Sequence, residues 1–404
     1  MTRPGPAEDP HPEPAAASKR RRPIQMILVF VLAAYAAWIV FQVVSFKRYV
    51  TPPEIVQAEI LAPGSAETQG RTGMPEPVEL RGAYHLHTRH SDGAKTVAEV
   101  AAAAERAGLD FVILTDHGAP NLPSLESQGK IGRVLVIAGT EISSSRGHLV
   151  ALGFNRPSRP FSQNADLAVR EVGSLGGFTI VAHPYSKTRW SWGEQTEFDG
   201  IEIMNVDADL RRGWAGSLLD LPALFLKPEM ALLKILDPPT ETTRKWDELM
   251  ESSGRPFWGF FAVDAHRYFY ETGLRILNIR VQLDSLAPVD FADASRAILD
   301  ALRQGRFYSA VEGAADSTGF RFRREGGNGS PTVLHVQTPY SFAHETRLLH
   351  KGAVVARATG TSLVYEARDP GAYRVEVFLR ERTPLRSAVP WICSNPIIVG
   401  KDIS

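Results

Sequence analysis

The chain has 404 residues, 44% hydrophobic and 22% charged, a composition of folded globular protein with room for more than one domain. Basic and acidic residues balance at 45 each, and the part after Arg48 holds 38 basic and 42 acidic residues, which excludes the electrostatic footprint of a nucleic-acid binder. A single cysteine, Cys393, excludes an internal disulfide and a thiolate metal site; it reads as a small buried strand residue.

Residues 1–23 are rich in Pro, Ala and Glu, end in the basic cluster Lys19 to Arg22, and predict a disordered tail. Ile24 to Phe46 follows without a charged residue. A bilayer core needs about 20 apolar residues in helix, so 24–46 predicts a transmembrane anchor. The absence of a nearby A-x-A-like site favours an anchor over a cleaved signal peptide. Four basic residues precede the span, and Lys47 and Arg48 follow it. The positive-inside rule then predicts a single-pass plasma-membrane protein with a cytoplasmic amino terminus and everything else on the periplasmic or extracellular side. Residues 47–80, punctuated by Pro52, Pro53, Pro63 and Gly64, read as a linker or stalk.

From 81 to 315 short apolar runs alternate with helical segments. Strands are expected at 83–87, 110–117, 133–142, 148–154, 178–184, 200–205, 257–266 and 277–283, and helices at 96–108, 165–176 and 290–305. Such alternation predicts an α/β fold in which helices cover a parallel sheet, and the strand count favours a barrel. Residues 207–252 interrupt the rhythm as a helical insertion whose apolar part is broken by Pro222 and Pro228. It reads as helices packed on the barrel, with a lid or membrane-facing pair as the alternative. Residues 316–404 carry closely spaced strand patterns and turns, and predict a small β-sandwich, a candidate surface for contacting a partner.

Seven of the eleven histidines lie between His85 and His266. The best-placed ones sit at the carboxyl ends of expected strands, where loops of parallel α/β folds converge on one mouth. His85 and His87 end the first strand and Asp92 follows; His117 ends the second; Glu141 lies near the end of the third; His183, Asp264 and His266 end later ones. His148 opens its strand and is the least well placed by this rule. A lone histidine there is usually a satisfied core or surface residue, but in H-x-H the two-residue period of a strand points both rings to one face. Six histidines and three carboxylates exceed the needs of one tetrahedral ion, so two or three divalent ions such as Zn, Mn or Fe are expected. His90, His335, His344 and His350 fit no ligand pattern.

The run HLHTRHSDG (85–93), followed in order by LTDHG, GTEIS, RGHLVALG, VAHP and VDAH, resembles the polymerase and histidinol phosphatase (PHP) family over roughly residues 82–312. That resemblance implies a distorted seven-stranded β/α, TIM-like barrel with a trinuclear metal site at its mouth. His85, His87, Glu141 and Asp264 would hold one ion. Glu141 would bridge to a second held by His148 and His183. Asp92, His117 and His266 would hold the third. The anchor, the insertion and the terminal sandwich depart from typical soluble members and put the substrate in doubt.

Clustered cations activate water and bind phosphate oxygens, so the expected function is hydrolysis of a phosphate ester, on a small molecule or polymer, by metal-bound hydroxide outside the cytoplasm. Arg146, Lys187, Arg189 and Arg267 lie beside donor motifs and are candidate phosphate clamps. Trp190 and Trp192 could stack on substrate or simply pack. No catalytic residue beyond the metal ligands is identified. Two other readings remain: hydrolysis of an amide or lactone at the same site, or a non-catalytic metal-bound binding module on a membrane stalk.

Overall fold

The computed structural model describes residues 21–46, 78–186, 189–194, 197–213, 221–268, 270–283, 290–327, 330–339, 344–380 and 383–400. The chain divides into two compact units, one ending at Phe46 and one beginning at Lys47. The first contains helix α1 (Arg21–Ser45). Within it Gln25–Ser45, 21 residues with a mean hydropathy of 2.5, is long and apolar enough to cross a membrane, as signal sequences near an amino terminus also are. Of the disordered tail expected at 1–23 and the stalk expected at 47–80, residues 1–20 and 47–77 lie outside the described residues, while 21–23 open α1 and 78–80 open the first strand.

The second unit is built in chain order from β1 (Val78–Leu86), α2 (Val97–Arg106), β2 (Phe111–Leu114), α3 (Leu122–Glu126), β3 (Gly129–Ile131), β4 (Val134–Ala138), β5 (Thr140–Ser144), β6 (Gly147–Leu152), α4 (Ala165–Ser174), β7 (Phe178–Val181) and β8 (Gly200–Asn205). Helices α5 (Val206–Gly213), α6 (Leu221–Leu226), α7 (Pro228–Ile235) and α8 (Thr240–Ser253) follow, then β9 (Trp258–Ala262), α9 (Tyr270–Ile276), β10 (Leu277–Leu283), α10 (Phe291–Arg303) and β11 (Phe307–Val311). Local chemistry sets the helix starts. Thr96 closes a capping box with Glu99 at the head of α2, and the Asp290 carboxylate accepts from the N–H groups of Ala292 and Asp293 at the head of α10.

The sheet is mixed rather than parallel throughout. β1, β2 and β4 are parallel, whereas β10 and β11 extend the same sheet antiparallel from the other edge of β1. A second sheet has the order β5-β6-β7-β8-β9, parallel only from β7 onward. The strand expected over 133–142 breaks at Gly139, and its two halves enter different sheets. A Cβ on Gly139 would lie 2.3 Å from Leu152 Cδ2 and 2.4 Å from the Ala151 carbonyl oxygen, so only glycine lets the chain cross there.

The two sheets meet through the single bridges Leu86 to Ala265 and His117 to Glu141. Backbone bonds reinforce the seam, including Asp264 N–H to the His85 carbonyl (2.7 Å) and Glu141 N–H to the Asp116 carbonyl (3.2 Å). Apolar side chains from both sheets, Tyr84, Ile113, Val150, Ile180 and Phe260 among them, fill the space between, with Ile298 of α10. Seam and core leave the strand ends carrying the histidines at one mouth.

The carboxyl-terminal strands are β12 (Arg321–Gly327), β13 (Ser330–Gln337), β14 (His344–His350), β15 (Ala353–Ala358), β16 (Ser362–Ala367), β17 (Gly371–Leu379), β18 (Ile392–Ser394) and β19 (Ile397–Val399). β12, β13 and β16 form a small antiparallel sheet. β15, β14, β17 and β18 join the first sheet, because β18 pairs with β11. Cys393 is buried in β18, and burial pushes its thiol up to about 12.

Candidate metal centre

His85 and His87 flank the end of β1, and their rings reach one space, with Nε2 atoms 3.1 Å apart. The strand does not continue regularly to put them there. His85 has φ +67°, and the β1–β2 register shifts between Tyr84 and Leu86. His183 (φ +28°) and Asp264 (φ +53°) are also left-handed, so three of the four described non-glycine residues with positive φ belong to this mouth. Such conformations cost of order 1–3 kcal/mol each and persist where surrounding structure imposes them.

Four buried donors form a cage. Glu141 Oε2 lies 3.2 Å from His85 Nε2 and 3.2 Å from His87 Nε2, and Asp264 Oδ1 lies 3.4 Å and 3.3 Å from the same two nitrogens. His85, His87 and Glu141 thus form a buried group of donors spaced to share an ion, and Asp264 adjoins it. Asp264 Oδ1, His87 Nδ1 and His117 Nδ1 are buried without a hydrogen-bond partner. Native structures rarely leave such atoms orphaned, so the donor set fits divalent cations.

Two further groups adjoin the cage. The other oxygen of Glu141, Oε1, lies 2.8 Å from His148 Nδ1 and 3.1 Å from His183 Nε2. His148 opens β6, yet β6 runs antiparallel to β7, so the start of one and the end of the other share the mouth. Nearer solvent, Asp92 Oδ2 lies 3.4 Å from His266 Nε2 and 3.6 Å from His117 Nε2, and Asp92 is half exposed. The nine candidate donors therefore meet at one mouth, and seven of them, all but His183 and Asp264, fall in three clusters suited to several divalent ions. One expectation needs correction: Glu141 stands near the start of β5, after the break at Gly139, rather than near the end of one long strand.

Other polar residues hold the donors, and the sequence pattern did not mark them. Glu202, buried in β8, accepts from His85 Nδ1 at 2.5 Å through Oε1 and from the His183 N–H at 2.8 Å through Oε2. Asn205 Nδ2 donates to Glu202 Oε2 (2.9 Å) and Asp264 Oδ2 (3.1 Å). Buried Asp116 accepts from Thr88 N–H (2.6 Å), Thr88 Oγ1 (2.8 Å), Ser91 Oγ (2.6 Å) and Ser124 Oγ (2.9 Å), tying down the loop that carries Asp92. His266 Nδ1 donates to the Asp264 carbonyl (2.9 Å), which leaves Nε2 directed at Asp92. The only sequence signal for Glu202 is a charge inside the apolar run GIEIMN.

Electrostatics in the ion-free protein match this packing. Burial disfavours the charged form of His85, but Asp264, Glu202 and Glu141 outweigh it and hold the imidazole well above its ordinary value. His87 rises to about 9: burial opposes protonation, and the adjacent carboxylates of Asp264 and Glu141 overcome it. Burial would raise Asp264 and Glu141, yet the neighbouring histidines hold both well below the carboxylate range. His117, half buried, is lowered, chiefly by burial. The cluster is thus built to hold positive charge against its carboxylates.

The four candidate cations fare differently. Arg146 is engaged in structure, donating to the Trp192 carbonyl (2.5 Å) and to Asp166 (3.0 Å). Arg267 is exposed and lines a cavity with Asp92 and His266. Arg189 is exposed, and Lys187 lies outside the described residues. Trp192 packs in the core against Phe198, while Trp190 donates to the Gly193 carbonyl and lies under Lys245.

No family model matches the sequence, and neither does any curated protein. Three solved structures align with it at low similarity. A two-domain protein containing a predicted PHP-like metal-dependent phosphoesterase, from Bacteroides vulgatus, aligns over 81% of this chain and 97% of its own at 16% identity and a TM-score of 0.41. An amidohydrolase from Chromobacterium violaceum aligns over 48% of this chain and 89% of its own, at 16% identity and a TM-score of 0.32. A proposed metal-dependent phosphoesterase from Bifidobacterium adolescentis aligns over 46% and 87%, at 16% identity and 0.32.

Proposed function

We propose that this protein is a metal-dependent phosphoesterase of the PHP type. The observation that carries the reading is the buried cluster of His85, His87, Glu141 and Asp264, in which each carboxylate lies 3.2–3.4 Å from both imidazole Nε2 atoms and Glu141 turns its second oxygen to a neighbouring group. In this assignment His85, His87, Glu141 and Asp264 hold the first ion, Glu141, His148 and His183 the second, and Asp92, His117 and His266 the third. Divalent ions, when bound, supply Lewis acidity that makes water a nucleophile near neutral pH and offsets charge on a phosphate.

The chain's own residues do the rest. Glu202 fixes the tautomer of His85 and leaves Nε2 free as a donor. Asp116 holds the Asp92 loop. Arg267, which lines the cavity beside His266 and Asp92, is the described cation we assign to a phosphate oxygen, and Arg189 and Lys187 stay in the reading as further clamps from their place in the sequence. The two stitched sheets are read as one distorted barrel over 81–315 with the 207–252 insertion, and 316–404 as an appended β-sandwich. Helix α1 is read as a single-pass anchor with a cytoplasmic amino terminus, which puts the site outside the cytoplasm.

The test uses the full chain in detergent micelles. Metal content by plasma mass spectrometry should approach three equivalents, and fall by about one in Asp92→Ala. Hydrolysis of p-nitrophenyl phosphate or its bis ester should require the metal. Loaded protein inert toward both esters would overturn the reading.

A further inference from the structure

β9 is the last strand of the second sheet, and the chain runs from its end into Asp264 and His266. In a β-ladder alternate backbone groups turn to opposite neighbours. β8 takes one side of β9. On the other side the N–H groups of β9 and the residue after it find three separate partners. Gly259 donates to Asn395 Oδ1 at 2.8 Å, Phe261 to Ser309 Oγ at 3.1 Å, and Val263 to the Tyr84 carbonyl at 3.1 Å. Only the third partner is backbone. The first two are side chains, Ser309 from β11 and Asn395 from the link between β18 and β19.

The Ser309 hydroxyl also donates to the Gly259 carbonyl at 3.3 Å. A residue of a neighbouring parallel strand would meet the same pair of groups, one carbonyl and the N–H two residues on. A single hydroxyl therefore stands in for a strand. Asn395 Nδ2 donates to the Phe307 carbonyl at 3.0 Å, so its amide spans from β9 to β11. Gly259, Phe261, Ser309 and Asn395 are all buried. A buried N–H without a partner is costly, so these bonds fix where β9 lies. The carboxyl-terminal strands in turn place Asn395: Cys393 of β18 pairs with Ser309, and Ile397 of β19 pairs with Tyr373 of β17.

From this we infer that Ser309 and Asn395 are positioning residues of the metal centre. They lock the edge of β9 and through it hold Asp264 and His266 toward β1, so the carboxyl-terminal strands complete the centre. The left-handed backbone of Asp264 needs such support, because strain of that kind persists only where neighbours impose it. His148 and His183 stand on other strands. The inference rests on the reading of Asp264 and His266 as metal donors.

Competition for zinc(II) between the full chain in micelles and a chromophoric chelator tests it, alongside thermal melts. Ser309→Ala and Asn395→Leu should each weaken zinc(II) binding about tenfold, the lower end of the loss for outer partners of a metal site. Asn395→Asp keeps an oxygen for the Gly259 N–H and loses the donor to Phe307. It should bind zinc(II) as the wild type does while melting at a lower temperature. Trp391→Phe removes the bond from Trp391 Nε1 to the Ala315 carbonyl (2.9 Å), a buried tie of the same region that does not reach β9. It should melt lower with zinc(II) affinity unchanged. Ser309→Ala loses one oxygen and keeps the test open if Asn395→Leu does not fold. Wild-type affinity in Ser309→Ala, or an equal loss in Trp391→Phe, overturns the positioning role alone. A wild-type chain that binds no zinc(II) removes the metal assignment and the inference with it.

Discussion

Nδ1 of His85 lies 2.5 Å from Oε1 of Glu202, and both side chains are buried. The bond leaves Nε2 of His85 to the cage, and the other Glu202 oxygen holds the backbone of His183. Glu202→Gln should therefore weaken metal binding about 10–100-fold, the usual cost of losing a carboxylate behind a ligating histidine. Competition with a chromophoric chelator measures it. Unchanged affinity would remove Glu202 from the site's support.

The pH response of the ion-free protein has a defined sign. His87 is raised from an ordinary 6.5 to about 9 by its carboxylate neighbours, against burial. Its contribution to folding is then fully present below pH 6.5 and is lost as pH rises toward 9. Ion-free protein should melt at progressively lower temperature over that window. Metal competes with the same protons, so loading should release protons at pH 7, and the stabilisation it gives should widen with pH. Calorimetric titration in buffers of different ionisation enthalpy, paired with thermal melts, checks both. A flat melting temperature for the ion-free form between pH 6.5 and 9 would contradict the assignment.

Gly139 sets the position of Glu141. An alanine there would meet the Ala151 carbonyl oxygen at 2.4 Å, and a backbone atom cannot swing away as a side chain can. Gly139→Ala should cost about 1–3 kcal/mol in urea unfolding. Because the crossing carries Glu141 into the cage, it should also lower metal occupancy. Full occupancy at reduced stability would show that β5 shifts without moving its carboxylate.

Away from the site, buried Arg280 of β10 joins Glu79 of β1 (3.1 Å), Glu312 (2.9 Å) and Asp316 (3.1 Å), and Arg321 of β12 bonds the second Glu79 oxygen at 2.8 Å. Removing the central cation strands buried carboxylates. Arg280→Ala should destabilise by about 3–5 kcal/mol. The double variant Arg280→Met with Glu312→Leu should recover much of the loss, because two charges leave the interior together. Denaturant unfolding of the full chain distinguishes the outcomes.

The sequence by itself determined the donor types and their order along the chain, while the left-handed turns at His85 and Asp264 that aim them into one space are imposed by the surrounding structure. It likewise determined the apolar helix at 25–45 and the capped helices α2 and α10, which depend on neighbours a few residues away. Tertiary structure decided what depends on contacts far apart in the chain. The sheet is split at Gly139, because a Cβ there would strike Leu152 and Ala151. β18 joins the first sheet through β11, a strand whose apolar run did not stand out between Gly305 and Gly313. Glu202 and Asp116 gained their roles only when folding brought them to His85 and Thr88.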